Sequence, residues 1–169
     1  MMTTEEMIKY NKSVEYRQLV METLLQSDVL PELCKNRPVD DEEVPDLIWE
    51  NYLPKLFIDG TIVNSEAYIL YDFDVYSNKV NTYDNVTMYI QVYCSKDIAR
   101  LDNGNAVRID AIVAELNRLL DGKNILGIGY NNKISERIIE SPNNKYIATQ
   151  IVYKVVDFNE KSIIRAKSH

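Results

Sequence analysis

Residues 106–120, Ala106-Val107-Arg108-Ile109-Asp110-Ala111-Ile112-Val113-Ala114-Glu115-Leu116-Asn117-Arg118-Leu119-Leu120, decide the fold. Ala106, Ile109, Ile112 or Val113, Leu116, Leu119 and Leu120 recur at helical spacing, while Arg108, Asp110, Glu115 and Arg118 lie off that stripe. The pattern predicts an amphipathic helix over 105–121 with one apolar face to cover. Gly122 follows, where a left-handed cap would end it.

Working outward, strands flank this helix on both sides. Upstream, Ala67, Ile69, Tyr71, Phe73 and Val75 alternate with Tyr68, Leu70, Asp72, Asp74 and Tyr76 over 66–76. Val86, Met88, Ile90, Val92 and Cys94 alternate with Thr87, Tyr89, Gln91 and Tyr93 over 86–94. A period of two marks half-buried strands, and the polar link 77–85 suits a long hairpin loop. Downstream, strands are expected at 134–140 and 146–157, joined by the turn cluster Ser141-Pro142-Asn143-Asn144-Lys145. The expected fold class is α+β: an antiparallel four-stranded sheet with one helix packed on a face, plus an N-terminal helix and a long Pro-rich arm.

That N-terminal helix is expected over 14–27, capped by Ser13, with a further turn available at Leu30-Pro31-Glu32-Leu33. The arm, 28–65, holds four of the five prolines (Pro31, Pro38, Pro45, Pro54) and the acid run Asp40-Asp41-Glu42-Glu43. Connections this long need a purpose. Asp59-Gly60 between two apolar triplets predicts a small hairpin over 56–63. Trp49, Tyr52, Leu53 and Phe57 give the arm apolar surface that its own core or a neighbour must cover. The whole chain reads as a single domain: helix 1–27, arm 28–65, α+β core 66–158 and a basic C-terminal tail 159–169.

Composition excludes chemistries. The 169 residues contain one histidine, His169, and two cysteines, Cys34 and Cys94, sixty positions apart. Histidine-dependent nucleophile systems and Cys/His zinc sites are thereby removed. No disulfide is needed for a chain that can bury about 70% of its unfolded surface. No apolar run approaches the ~20 residues of a membrane span, and the start Met1-Met2-Thr3-Thr4-Glu5-Glu6 is unlike a secretory signal, so the chain reads as cytosolic.

The net charge of −7 is unevenly spread. Residues 1–84 hold 17 acidic and 7 basic side chains, residues 85–169 hold 9 and 12. The two halves attract, either within one subunit or between copies docked head to tail. In the second case the acid run Asp40, Asp41, Glu42, Glu43 is a candidate contact, with Trp49 and the tyrosines Tyr68, Tyr89 and Tyr93 on the second face of the strands. The same tyrosines equally suit a second core layer beneath the arm.

Asp72 and Asp74, two apart on one strand face, are the one arrangement resembling a Mg²⁺ site, although no Glu-x-Lys pattern accompanies them and exposed carboxylates are the default state of Asp. Gly127-Ile128-Gly129-Tyr130 lacks the third glycine and following helix of a dinucleotide loop and reads as a tight turn. No cofactor and no enzyme activity are expected.

The run Val86–Cys94, the polar Lys96-Asp97 loop, the helix from Arg108 through Leu120-Asp121-Gly122, and the closing strand Tyr146–Phe158 together resemble tail terminator and tail completion proteins of tailed bacteriophages. The resemblance spans about residues 66–158. It implies a small α+β subunit forming a ring, commonly a hexamer, that caps the tail tube, meets the neck or connector proteins and lets DNA through its lumen unread. It further implies a virion component made in the host bacterial cytoplasm, with no membrane partner. A head-completion or stopper connector is the neighbouring alternative. From other classes, a Mg²⁺-dependent nuclease or phosphatase would use Asp72 and Asp74, and a host regulator would bind a protein through the tyrosine face. The arm at 28–65 is bulkier than the family pattern.

Overall fold

A computed structural model describes residues 3, 11–77, 83–101, 104 and 106–158. The hairpin link expected at 77–85 lies largely, and the basic tail at 159–169 with His169 wholly, outside the described residues.

Helix α1 runs Lys12–Leu25. Its cap is Asn11, two residues before the expected Ser13; the Asn11 side chain accepts from the Ser13 N–H at 3.1 Å. Asparagine competes well for this role because its carbonyl oxygen reaches the orphan donors of the first turn. Tyr16, Val20 and Leu24 form the buried stripe. The further turn becomes α2, Leu30–Lys35, with Pro31 at its start, where a missing N–H costs nothing. It stops at Asn36, which takes the left-handed conformation (φ 56°) that asparagine tolerates.

The sheet has five strands and is mixed, which corrects the four-stranded antiparallel expectation. The strands are β1 Tyr52–Leu53, β2 Ala67–Ser77, β3 Tyr83–Ser95, β4 Asn132–Ile139 and β5 Tyr146–Phe158, in the order β1-β2-β3-β5-β4. The added strand β1 pairs in parallel with β2, Tyr52 against Ile69 and Leu53 against Leu70. A parallel return needs a crossover of about a dozen residues, and residues 54–66 provide it. The length of the arm therefore has a topological cause. The hairpin expected at 56–63 does not form; Asp59 makes a local turn, accepting from the Thr61 N–H at 2.9 Å and hydroxyl at 2.8 Å.

Helix α3, Arg108–Leu120, lies on one sheet face with Ile109, Ile112, Val113, Leu116 and Leu120 buried. Gly122 follows with φ 66°, as its position after the helix demanded. Helices α1 and α2 share this face, so three helices cover it where one was expected; Val20, Leu30, Cys34, Ile69, Ile90, Ile112 and Tyr153 belong to one continuous core. The opposite face carries a second, smaller core of Leu53, Ile58, Tyr68, Leu70, Tyr93, Tyr146 and Ala148, roofed by the crossover with Ile62 packed alongside.

The start of α3 is anchored by Arg108. Its buried guanidinium donates to the Ile98 carbonyl (2.8 Å), the Leu33 carbonyl (3.3 Å) and Asn36 Oδ1 (2.5 Å), tying α3 to α2 and to the 3₁₀ turn Lys96–Ile98. Cys34 and Cys94 are buried and unbridged, and burial pushes the Cys94 thiol up to about 11. No helix among the described residues is long and apolar enough to cross a membrane.

Candidate functional site

Two surface depressions collect the chemically notable side chains. The first lies on the second sheet face beyond the crossover's roof and is lined by Leu56, Asp72, Phe73, Asp74, Tyr89, Arg137 and Gln150, with a volume of about 350 Å³. Strand pairing places Asp72 against Tyr89, and Tyr89 against Val152, so the acids expected to lie together do so. Each carboxylate already has a hydrogen-bond donor. Asp72 Oδ1 accepts from Arg17 Nη2 at 2.5 Å and Nε at 3.1 Å, and from the Phe73 N–H at 2.8 Å. Burial, followed by a hydrogen bond to Asp74, raises the Tyr89 hydroxyl's pKa, so the phenol stays protonated as a donor to that carboxylate. Arg137 adds a guanidinium to the same wall. With Asp72 held by Arg17 and Asp74 accepting from Tyr89, the pair is a poor trap for a divalent cation, which asks for uncompensated oxygen ligands. Among the described residues no three His, Cys, Asp or Glu side chains converge as a metal site.

The second depression is apolar. Helix α1 packs over β2 beside the arm and leaves a groove of about 530 Å³ lined by Val14, Met21, Leu25, Ile48, Trp49 and Pro54, with Tyr71 at its floor. Arg17, Gln18 and Glu22 border it. Trp49 stands at the rim, 61% exposed, in the left-handed region (φ 66°). A bulky residue there is a backbone outlier costing about 1 kcal/mol or more. The turn is held by hydrogen bonds from the Trp49 N–H to the Tyr52 carbonyl (3.0 Å) and from the Glu50 and Asn51 N–H groups to the Leu47 carbonyl. Lys55 Nζ lies 5.8 Å from the Trp49 ring centroid and 5.7 Å from that of Phe57, a cation–π bracket over exposed aromatics.

The remaining candidates separate. Asp40, Asp41 and Glu42 are exposed on a turn of the arm, and Glu43 pairs with Arg37 at 2.7 Å. Tyr68 and Tyr93 are not a contact surface; the crossover buries both. Tyr68 meets Tyr146 edge-on, and the Tyr146 hydroxyl donates to the Asn64 carbonyl at 2.7 Å. Their reading as a second core layer is the one the geometry bears out, because a parallel crossover must lie across a sheet face. Tyr89, beyond the roof, is half-buried in the polar cleft.

The outer strand β4, expected at 134–140 and found at Asn132–Ile139, was not among the candidate surfaces. Ile134 and Ile138 are exposed, Ile138 at 88%, and β4 is the last strand of the sheet. The doublet Ile138-Ile139 was a signal, since adjacent strand residues point to opposite faces and only Ile139 packs on a core.

No curated protein matches the chain. The family model named YomW matches residues 5–155, nearly the full length, and thus includes the arm as well as the α+β core. The chain belongs to the YomW family, a phage-derived family of SPbeta-like prophages.

Proposed function

We propose that this phage protein is a structural component of the head–tail junction, a tail terminator that closes into a ring on the end of the tail tube and joins it to the neck. The observation that carries the reading is the element order β2-β3-α3-β4-β5 over residues 67–158, the order of the tail terminator and tail completion proteins that this stretch resembles, now within a phage-derived family. The ring is a hexamer of one chain, its partners are the tail tube protein and the connector proteins, and DNA crosses the lumen without being read. The protein performs no catalysis and works in the virion after synthesis in the host cytoplasm.

The experiment is a phage carrying a disrupted copy of this gene. Filled heads beside separate tails of irregular length are the expected result. Heads that fill and then lose their DNA would assign the adjacent stopper position instead, and particles of normal form would overturn the junction reading.

A further inference from the structure

The apolar groove lies at the β1 side of the sheet, and the exposed isoleucines of β4 lie at the opposite side. We propose that these are the two halves of one head-to-tail interface: Ile134 and Ile138 of one copy seat in the groove between α1 and the arm of the next, against Trp49. This rests on the ring reading above and names the surfaces that would build it.

Three observations choose a second copy as the occupant. The first is placement. A contact joining opposite sides of one subunit is heterologous; it propagates from copy to copy and closes into a ring when the rotation permits. The second is charge. Residues 11–58, which include the groove side, carry ten acidic against five basic side chains, and residues 118–154, from the end of α3 through β4 into β5, carry six basic against three acidic. Glu22 borders the groove, and Glu50, next to Trp49, is largely exposed although Lys35 bridges it at 2.9 Å. On β4, Lys133 is bridged to Glu136 at 3.1 Å, whereas Arg137 has no ion-pair partner among the described residues. The third is strain. An exposed tryptophan in a left-handed turn is retained against both solvation and backbone preference, and such outliers concentrate at functional surfaces. A buried Trp beside apolar knobs is the usual centre of an energetic hot spot.

Trp49 is the sole tryptophan of the chain, so its fluorescence reports the contact directly. The test follows emission and light scattering of the full chain across concentration, in low and in high salt. The wild type is expected to associate with a blue shift of its emission, and salt to weaken the association. Ile138→Asp, at a position too exposed to disturb folding, and Trp49→Gly, which relieves the turn, are each expected to raise the midpoint concentration about thirtyfold or more. Mixed one to one, the two variants retain one intact pair of surfaces and should stop at a heterodimer whose Ile138→Asp partner, still carrying Trp49, shows the blue shift. Circular dichroism of each variant confirms the fold, with Ile134→Asp and Arg137→Glu as replacements for any that fails.

Wild-type rings that persist unchanged in both variants would overturn this interface and leave the ring reading standing. A wild type that stays monomeric with and without tail tubes would overturn the ring reading, and the interface with it.

Discussion

Arg17 of α1 and Asp72 of β2 form a two-pronged contact on a single carboxylate oxygen, while that oxygen also accepts from the Phe73 N–H of its own strand. Both side chains are about 30% exposed, which puts the pair between a surface bridge and a buried one. Asp72→Ala should therefore cost about 1 kcal/mol. Urea unfolding would show this as a lower midpoint with an unchanged slope. Mg²⁺ should leave the midpoint of the wild type where it was, and a Mg²⁺-dependent rise that disappears in Asp72→Ala would return the acid pair to consideration as a cation site.

Arg108 offers a sharper loss. Its three acceptors, the Ile98 and Leu33 carbonyls and Asn36 Oδ1, come from two separate segments, and a neutral side chain would leave them without donors inside the protein. Arg108→Leu is expected to destabilise by about 3 kcal/mol or more. Arg108→Lys should recover only part of this, because an ammonium on a flexible stem cannot span the same fork. Thermal melting of both variants checks the order.

Tyr68→Ala tests the second core. The ring is buried against Tyr146, with centroids 5.9 Å apart, and truncation should cost about 3 kcal/mol or more. A surface tyrosine would cost well under 1 kcal/mol. Limited proteolysis should find the variant cut first within 54–66, where the roof loses its support.

Stability should fall in acid through Glu115. The hydrogen bond from Arg118 lowers its pKa most, opposed by burial and assisted by the Ser27 hydroxyl. In the window below the ordinary glutamate value, about 4.3, the unfolded chain binds the proton and the folded chain does not, so unfolding free energy declines as pH drops through the folded value. Glu115→Gln should flatten this acid limb. It should also cost about 1.5 kcal/mol at neutral pH, since the Ser27 hydroxyl (2.6 Å) and Arg118 both lose an ionic acceptor.

Periodic stretches could be read directly. The alternation in β2, β3 and β5 and the stripe of α3 fix which atoms meet the core, because period and burial are one constraint. The arm resisted for physical reasons. Strand β1 has two residues, too few to show a period, and its parallel pairing with Ile69 and Leu70 is set by tertiary packing. Asp59-Gly60 suggested a hairpin, yet the Asp59 carboxylate turns the chain by bonding to Thr61, and the crossover needs no partner strand. The acids Asp72 and Asp74 were correctly placed together, but Arg17 lies 55 positions away on another element and could not be anticipated. Trp49 stood out as uncovered surface, whereas the groove it borders exists only once α1 and the arm are set side by side.

The bond from Phe73 N–H to Asp72 acts as a lock on one selvedge of the sheet. Strand β1 covers β2 only at Ile69 and Leu70, and just beyond that point an outward donor is already occupied by a carboxylate held by arginine. A stray strand from a damaged or half-folded neighbour finds a negative charge there instead of a waiting amide. On the opposite selvedge, β4, the Lys133 N–H is likewise taken by a carboxylate, that of Asp121 at 2.9 Å, beside a register shift between Lys133 and Ser135. Both outer strands thus offer an added strand fewer waiting amides than their lengths alone suggest.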